Sequence, residues 1–416
     1  MKVRRLFGIG LGSSLEWYDF ALYGFFVPVF AKLYFPVTDQ HVSLLKAFSF
    51  FAIGFLVRPI GGLLFGRIGD KYGRVRCLQI TPLLITLPTV FIAFLPTYED
   101  IGILAPLLLL LSRIVQGLFI GGEYAGNMVY MCESSVNRRY FLGSLASCTG
   151  SFGIFLASSI SSIIYWAFPI EFVESYGWRL AFLLSIFLGI SAYYMRRNIG
   201  ETLDYAALRR KQQVSHAPIL DAIRENWAAC LIALCFLFLH ATTFYAVFTF
   251  MPALLSADTL TIPGMALRYV SLFLFCRLFL IPLIGLLAEQ IGGRRVIRIS
   301  ALGFLLFSYP LFNLVNESQF PGSIVALGLF AFLTAINAGV VPGLLTEMLP
   351  AKTRYTTFSF ALNAGFGVFG GLAPLVLQYF TEHPTSLNTA ALYLMFCGLV
   401  ALVGSFLMKQ DKYGIV

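Results

Sequence analysis

Long apolar stretches separated by short polar breaks run along the whole chain, and their length decides what they are. A helix crossing hydrocarbon needs about 20 residues. Twelve stretches meet that need, near 8–33, 44–66, 77–95, 103–131, 140–168, 177–195, 227–256, 264–288, 296–314, 321–347, 356–380 and 389–408. The longest polar interruption, 196–226, comes after the sixth stretch and divides the helices six plus six. Its end, Ile219 to Trp227, reads either as an amphipathic helix on the membrane surface or as solvated linker.

Composition turns this pattern into a class. Of 416 residues, 58% are hydrophobic and 12% charged, against about 25% charged in soluble proteins. One core cannot hide so much apolar surface, so lipid is the solvent. The net charge of +9 is the positive-inside signal and not a nucleic-acid footprint. With the N-terminus inside, most Lys and Arg fall on cytoplasmic ends. Only Lys32, Lys46, Arg179 and Arg268 lie outside, and Arg58, Arg113 and Arg277 lie within spans. The outer loops carry Asp39, Glu99, Asp100, Glu171, Glu174, Asp258, Glu317 and Glu382. Both termini are therefore expected in the cytoplasm, with anionic lipid headgroups as the partner of the basic face. "MKVRRLFGIGLG" starts like a signal peptide, but Glu16 and Asp19 interrupt the apolar run behind it, which predicts an uncleaved first helix. The seven cysteines form no CxxC pair and the four histidines are scattered, so neither a metal nor a cofactor is expected.

The halves repeat. "GRIGDKYGRVR" (66–76) succeeds span 2 as "GLLAEQIGGRR" (285–295) succeeds span 8. "ESSVNRRY" (133–140) succeeds span 4 as "EMLPAKTRY" (347–355) succeeds span 10. Asp70 thus pairs with Glu289, and Glu133 with Glu347, at nearly one offset. The reading is an all-α membrane protein: twelve transmembrane helices in two pseudo-symmetric six-helix bundles, 1–195 and 227–416, joined by a cytoplasmic linker, 196–226. Parallel repeats about an axis along the membrane normal place a solute site between the bundles at the midplane.

"GRIGDKYGR" and "RIVQG" (113–117) resemble the loop 2–3 and fourth-helix signatures of the major facilitator superfamily. "EWYDFALYGFF", "RPIGGLLFGRIGDKYGR", "RIVQGLFIGGEYAG", "GWRLAFLLSI" and "RYTTFSFALNAGFGVFGGLAP" resemble, in order, the blocks of its metabolite:proton symporter family, which includes carriers of proline/betaine, citrate, α-ketoglutarate and shikimate. The resemblance implies that helices 1, 4, 7 and 10 line a central cavity and that loop 2–3 is a conformational latch. Two departures stand out. Glu289, Gln290 and Gly293 replace the usual acidic–basic–glycine–arginine run, which weakens the second-half latch. The chain also ends soon after span 12, without the long extension of osmosensing relatives.

Depth along each helix sorts the buried polar groups. Asp19, Arg113, His240, Arg277 and Asn337 fall roughly 15–24 Å from a helix end, near the bilayer centre. An ionised group there costs about 2.5–3.5 kcal/mol on insertion scales, so each needs a partner or a task. Asp19 and Arg113 are read as a coupled pair. Burial favours a neutral acid and a nearby arginine a charged one, so a balanced site takes up and releases a proton; the alternative is a permanent salt bridge between spans 1 and 4. Glu16 shares a helix face with Asp19 and Tyr23, one turn nearer the cytoplasm, as a second proton site or an interfacial acid. Arg113 and Gln116 share a stripe on span 4 with Glu123, which lies near the cytoplasmic end. Arg277 suits a substrate carboxylate through its planar fork, or turns toward a partner helix. His240 is a titrating group or a packing residue. Tyr23, Tyr245 and Asn337 complete the candidate cavity lining.

The candidate gate comprises Asp70, Lys71, Arg74, Gly66 and Gly73, with Glu123, Arg58, Glu133, Arg139, Glu289 and Arg294. Asp70 is placed to meet arginines and the N-terminal end of span 11 near Tyr355 to Phe358, and Arg58 to form a cytoplasmic ion pair. Gly62/Gly66, Gly117/Gly121, Gly122/Gly126 and Gly367/Gly371 are small-xxx-small pairs suited to close packing within a bundle. The functional expectation is a secondary transporter and not an enzyme or channel: proton-coupled uptake of a small carboxylate-bearing or zwitterionic metabolite by a monomer in the bacterial inner membrane, working by alternating access. Span 5, "GSLASCTGSFGIFLASS", lacks the GP…GG pattern of the superfamily's drug:proton antiporters, which leaves an antiporter or exporter of an amphiphilic metabolite or drug as the alternative.

Overall fold

The computed structural model describes residues 3–36, 40–251, 265–317, 320–382 and 386–408, and these are helical with no strand among them. Asp39 and Asp258, and the side chains of Arg268, Glu317 and Glu382, lie outside the described part, as do residues 252–256 and 264 of the seventh and eighth expected spans. Among the described residues, eleven helices are long and apolar enough to cross a membrane: Ser49–Tyr72, Arg74–Ala93, Leu104–Glu133, Val136–Ala167, Ile170–Arg196, Pro218–Phe250, Tyr269–Ile291, Gly293–Val315, Gly322–Met348, Arg354–Leu377 and Asn388–Leu407. The N-terminal helix Val3–Phe25, prolonged by Val27–Tyr34, is span 1 and makes twelve.

Lipid dictates this choice of element, because only a helix satisfies its own backbone polar groups without water. Large apolar side chains face outward, Leu107, Phe187, Phe279 and Phe406 among them, while Asp19, Glu123, Arg74 and Arg196 are fully buried. Two spans are interrupted just before a proline, Pro28 and Pro59, where the ring removes an N–H, whereas Pro282, Pro310, Pro342 and Pro374 are carried inside continuous helices.

Two segments continue a membrane-spanning helix further than the sequence suggests. "GRIGDKYGR" stays helical to Tyr72 and turns only at Gly73, whose φ of +110° suits glycine; Gly292, at φ +89°, turns between spans 8 and 9. Gly66 and Gly69 lie inside this helix. The stretch Ile219 to Trp227 is neither a surface helix nor loose linker: it is the start of the continuous helix Pro218–Tyr245, opened by proline at its first position. The linker adds a short helix, Leu203–Arg210, capped by Thr202.

Helix crossings explain the glycine pairs. A Cβ at Gly61 would strike the Leu118 carbonyl, and one at Gly117 the Gly54 carbonyl, so spans 2 and 4 touch backbone to backbone. Gly62 and Gly66 correct the expectation of packing within a bundle. They lie against Ser359 and Thr356 of span 11, in the other half. The halves therefore meet along span 2 with span 11, and along span 5 with span 8.

Candidate functional site

Spans 1, 4, 5, 7, 8, 10 and 11 converge on a buried cavity walled by Trp17, Tyr124, Phe244 and Phe366, with Ser147, Ser151, His240 and Arg277 among its polar lining. The free space inside is about 10 Å³, room for roughly one water, so the cavity is nearly closed in this form. Trp17 meets Tyr124, Phe244 and Phe366 edge to face at 5.3, 6.1 and 5.7 Å. Spans 7 and 11 widen into π-helical turns at Ala246–Phe250 and Gly365–Gly370 beside the cavity. Such turns recur where a helix yields regularity to a site.

Arg277 is the cation of this cavity. Its Nη1 donates to Ser151 Oγ at 3.1 Å and its Nη2 to the Thr334 carbonyl at 3.4 Å, while Nε has no partner. The guanidinium lies over Phe244 and Phe248, 5.2 and 5.4 Å from the ring centroids. No acidic side chain pairs with it among the described residues. Trp17 Nε1 and His240 Nδ1 also lack partners. Three unsatisfied polar atoms around one cavity are the arrangement of a site built to receive a polar solute.

Asp19 and Arg113 are brought near each other, but they do not form the direct pair expected. Arg113 Nη1 donates to Gln116 Oε1 (2.6 Å), Gln116 Nε2 donates to Thr89 Oγ1 (2.6 Å), and Thr89 Oγ1 donates to Asp19 Oδ2 (2.8 Å). Asp19 Oδ1 and Arg113 Nε and Nη2 remain without partners. Arg113 instead stacks 4.2 Å from the Tyr23 centroid, which is why the pair stays open. Tyr23 donates to the Ala47 carbonyl at 3.1 Å and belongs to the first bundle's interior, away from the cavity. Thr89 was not singled out by the sequence, where it is one hydroxyl in an apolar run.

The other candidates sort by depth. Glu16 Oε1 accepts from Arg58 Nη2 at 2.7 Å, both buried, with Glu16 Oε2 unpartnered. Arg58 also faces Trp17, Phe20 and Phe55 within 5.6 Å. Glu123 pairs with Arg196 at 2.7 Å, and Arg196 Nε and Nη1 donate to the Gly8 and Leu78 carbonyls. Arg196 thus ties spans 1, 3, 4 and 6 together inside the first half. The Tyr245 hydroxyl is unpartnered and its ring meets Phe55 at 5.6 Å. Asn337 accepts from Ser300 Oγ at 2.8 Å, facing span 9 and not the cavity.

At the end of the molecule that carries the linker, a buried network spans the two halves. Asp70 accepts from the backbone N–H of Tyr355 (3.2 Å) and Thr356 (2.8 Å), and pairs with Arg74 at 3.0 Å. Arg74 reaches Glu133 at 3.2 Å, and Glu133 accepts from Arg354 at 2.8 Å. The linker joins in: Asp204 accepts from Arg354 (2.5 Å) and Arg139 (3.1 Å), and Thr202 donates to Glu133 (2.6 Å). Arg354, Asp204 and Thr202 were missed by the sequence reading, although Arg354 repeats Arg139. Lys71 lies over the Tyr72 ring, outside this network. In the second half, Glu289 accepts from the Phe141 N–H at 3.0 Å and Glu347 from the Tyr140 hydroxyl. Glu289 therefore caps span 5 as Asp70 caps span 11, despite its altered neighbours, and Arg294 stands at the start of span 9.

Comparison with known proteins adds identity to geometry. The family model for "Sugar (and other) transporter" matches residues 7–225 and 197–412. The glycine betaine/proline/ectoine/pipecolic acid transporter OusA of Dickeya dadantii is 31% identical, over 96% of this chain and 82% of its own. A putative proline/betaine transporter of Staphylococcus aureus is 33% identical, over 96% and 86%. The proline/betaine transporter of Escherichia coli is 30% identical over 96% and 82%. Among solved structures, the proton:xylose symporter XylE bound to 6-bromo-6-deoxy-D-glucose shares the fold, with a TM-score of 0.84 at 15% identity over 99% of this chain and 96% of that one. This multi-pass membrane protein is thus a transporter, not an enzyme, and belongs to the sugar (and other) transporter family of the major facilitator superfamily.

Proposed function

We propose that the chain takes up a small zwitterion, a carboxylate joined to a cationic nitrogen, together with protons. The observation that carries this reading is Arg277, a buried guanidinium with no acidic partner among the described residues, whose free Nε accompanies Trp17 and His240 in a cavity of aromatic walls. A solute carboxylate on Arg277 offsets the expense of burying that charge. The onium end rests on the faces of Trp17, Phe244 or Phe366, each such contact contributing about 0.5–2 kcal/mol. A solute that is only an anion leaves those faces unused. Relatives named for proline, glycine betaine, ectoine and pipecolic acid support the same class.

Asp19 is the proton site of this proposal. Its carboxylate is buried, has one unpartnered oxygen, and communicates with Arg113 only through Thr89 and Gln116. A side chain so held changes charge without breaking an ion pair. The halves 1–195 and 227–416 rock about the linker 196–226, with both termini cytoplasmic, in a bacterial inner membrane, as a monomer. Uptake by proteoliposomes under an imposed inward pH gradient is the test. Labelled glycine betaine or proline should accumulate, and a protonophore should abolish accumulation. Asp19→Asn should lose accumulation but keep solute exchange. Arg277→Lys should lower uptake about tenfold or more, since lysine lacks the planar fork. Uptake indifferent to both pH gradient and membrane potential would end the coupling claim. Citrate carried as well as betaine would end the zwitterion claim.

A further inference from the structure

Tyr140 and Tyr355 each come directly after an arginine at the start of a span, the fifth and the eleventh, and each is buried in the opposite half. Tyr355 leaves the second half and donates to the Gly122 carbonyl of span 4 at 2.8 Å, with its oxygen 3.1 Å from Cys77 Sγ of span 3. Its ring lies between Gly69 of span 2 and Gly126 of span 4, where a Cβ at either glycine would overlap it. Tyr140 leaves the first half and donates to Glu347 of span 10. Its ring lies against Gly293, which opens span 9, and Gly343 of span 10, and a Cβ at either would again collide. Span 4 and span 10 are equivalent in the repeat, so the two slots share one corresponding wall, while the other wall is span 2 in the first and the start of span 9 in the second.

We propose that Tyr140 and Tyr355 are reciprocal keys of the cytoplasmic gate, each seated in a glycine-walled slot of the other half, and that inward opening requires both to withdraw. A ring held between backbones without Cβ atoms has no room for a partial shift, so the contact is either seated or empty. Packing of that kind turns a small rigid-body movement into two discrete states. The side chains of the keys stand apart from the ion network, which touches Tyr355 only at its backbone N–H: the hydroxyls meet the Gly122 carbonyl, Cys77 and the Glu347 carboxylate, and the slots are built by glycine. The proposal rests on alternating access but not on the solute, and its test uses none.

Cys77 is buried beside the Tyr355 hydroxyl, so its thiol reports whether the first slot is open. The test takes full-length protein with the other six cysteines replaced, in nanodiscs, and tracks N-ethylmaleimide labelling of Cys77. The informative changes are in the other slot, where they cannot alter the surroundings of Cys77 directly. Gly343→Ala should unseat Tyr140 and label Cys77 about tenfold faster. Tyr140→Phe keeps the ring, loses the bond to Glu347, and should label about two- to tenfold faster. Elution as a single symmetric species from size exclusion shows that each variant folds. If Gly343→Ala does not fold, Tyr140→Phe decides. Unchanged labelling in folded Tyr140→Phe overturns the proposal, leaving both tyrosines as packing.

Discussion

Two buried acids one helical turn apart show how much a single partner decides. Glu16 sits in an ion pair with Arg58, whereas Asp19 is held by a threonine hydroxyl and keeps one oxygen free. Their depths could be read from the sequence, because apolar run length fixes depth. Their partners could not, because Thr89 and Arg58 come from spans 3 and 2 and nothing in their local pattern points to span 1. The same limit hid Arg196, which reads as one more basic residue at a cytoplasmic helix end. Its pair with Glu123 has no exposed atom to share with solvent. Removing one partner of such a pair is expected to destabilise the fold by about 3–5 kcal/mol. Arg196→Met should therefore lower the thermal midpoint in detergent sharply, and Glu123→Gln added to it should recover part of the loss. Equal midpoints for the single and double variants would show that the orphaned carboxylate is not the source of the damage.

Among helices, glycine spacing was legible but its destination was not. A small-xxx-small pair says that something approaches closely; only the packed structure says what. Gly117 receives the backbone of span 2, whereas Gly62 and Gly66 receive span 11 across the halves, and Gly371 has nothing nearer than 3.9 Å. The consequences separate cleanly. Gly117→Val should abolish the monodisperse peak in size exclusion, because two backbones cannot move apart to admit a branched side chain. Gly371→Ala should elute as wild type. The loop 2–3 signature is likewise mostly helix, which persists to Tyr72 and turns at Gly73, the residue there with a left-handed φ.

For the whole molecule, the duplicated acids announced the two halves, since two matched pairs at one offset seldom arise by chance. The linker's part was invisible, because Asp204 lies in a polar segment where acids are unremarkable. In the structure it is the shared acceptor of Arg139 from the first half and Arg354 from the second. Loss of that charge should favour the cytoplasm-open form. Asp204→Asn is expected to tighten apparent solute affinity measured from the cytoplasmic side and weaken it from the outside, by the same shift in population. Matched affinities on both faces before and after the change would exclude this role.

Asp70 caps a helix of the second half, Glu289 caps the matching helix of the first, and Tyr355 and Tyr140 cross in opposite directions. Contacts in which i meets j and j meets i define the isologous interface of a twofold dimer. The linker end of the molecule is thus a twofold interface carried within one chain, and a dimer of identical subunits would have to change both copies of each contact together. Covalent joining removes that constraint. One copy carries Arg74 in a chain of buried ion pairs, and the other carries the bond from Tyr140 to Glu347. A single chain is thus free to make the two crossings from different contacts along one seam.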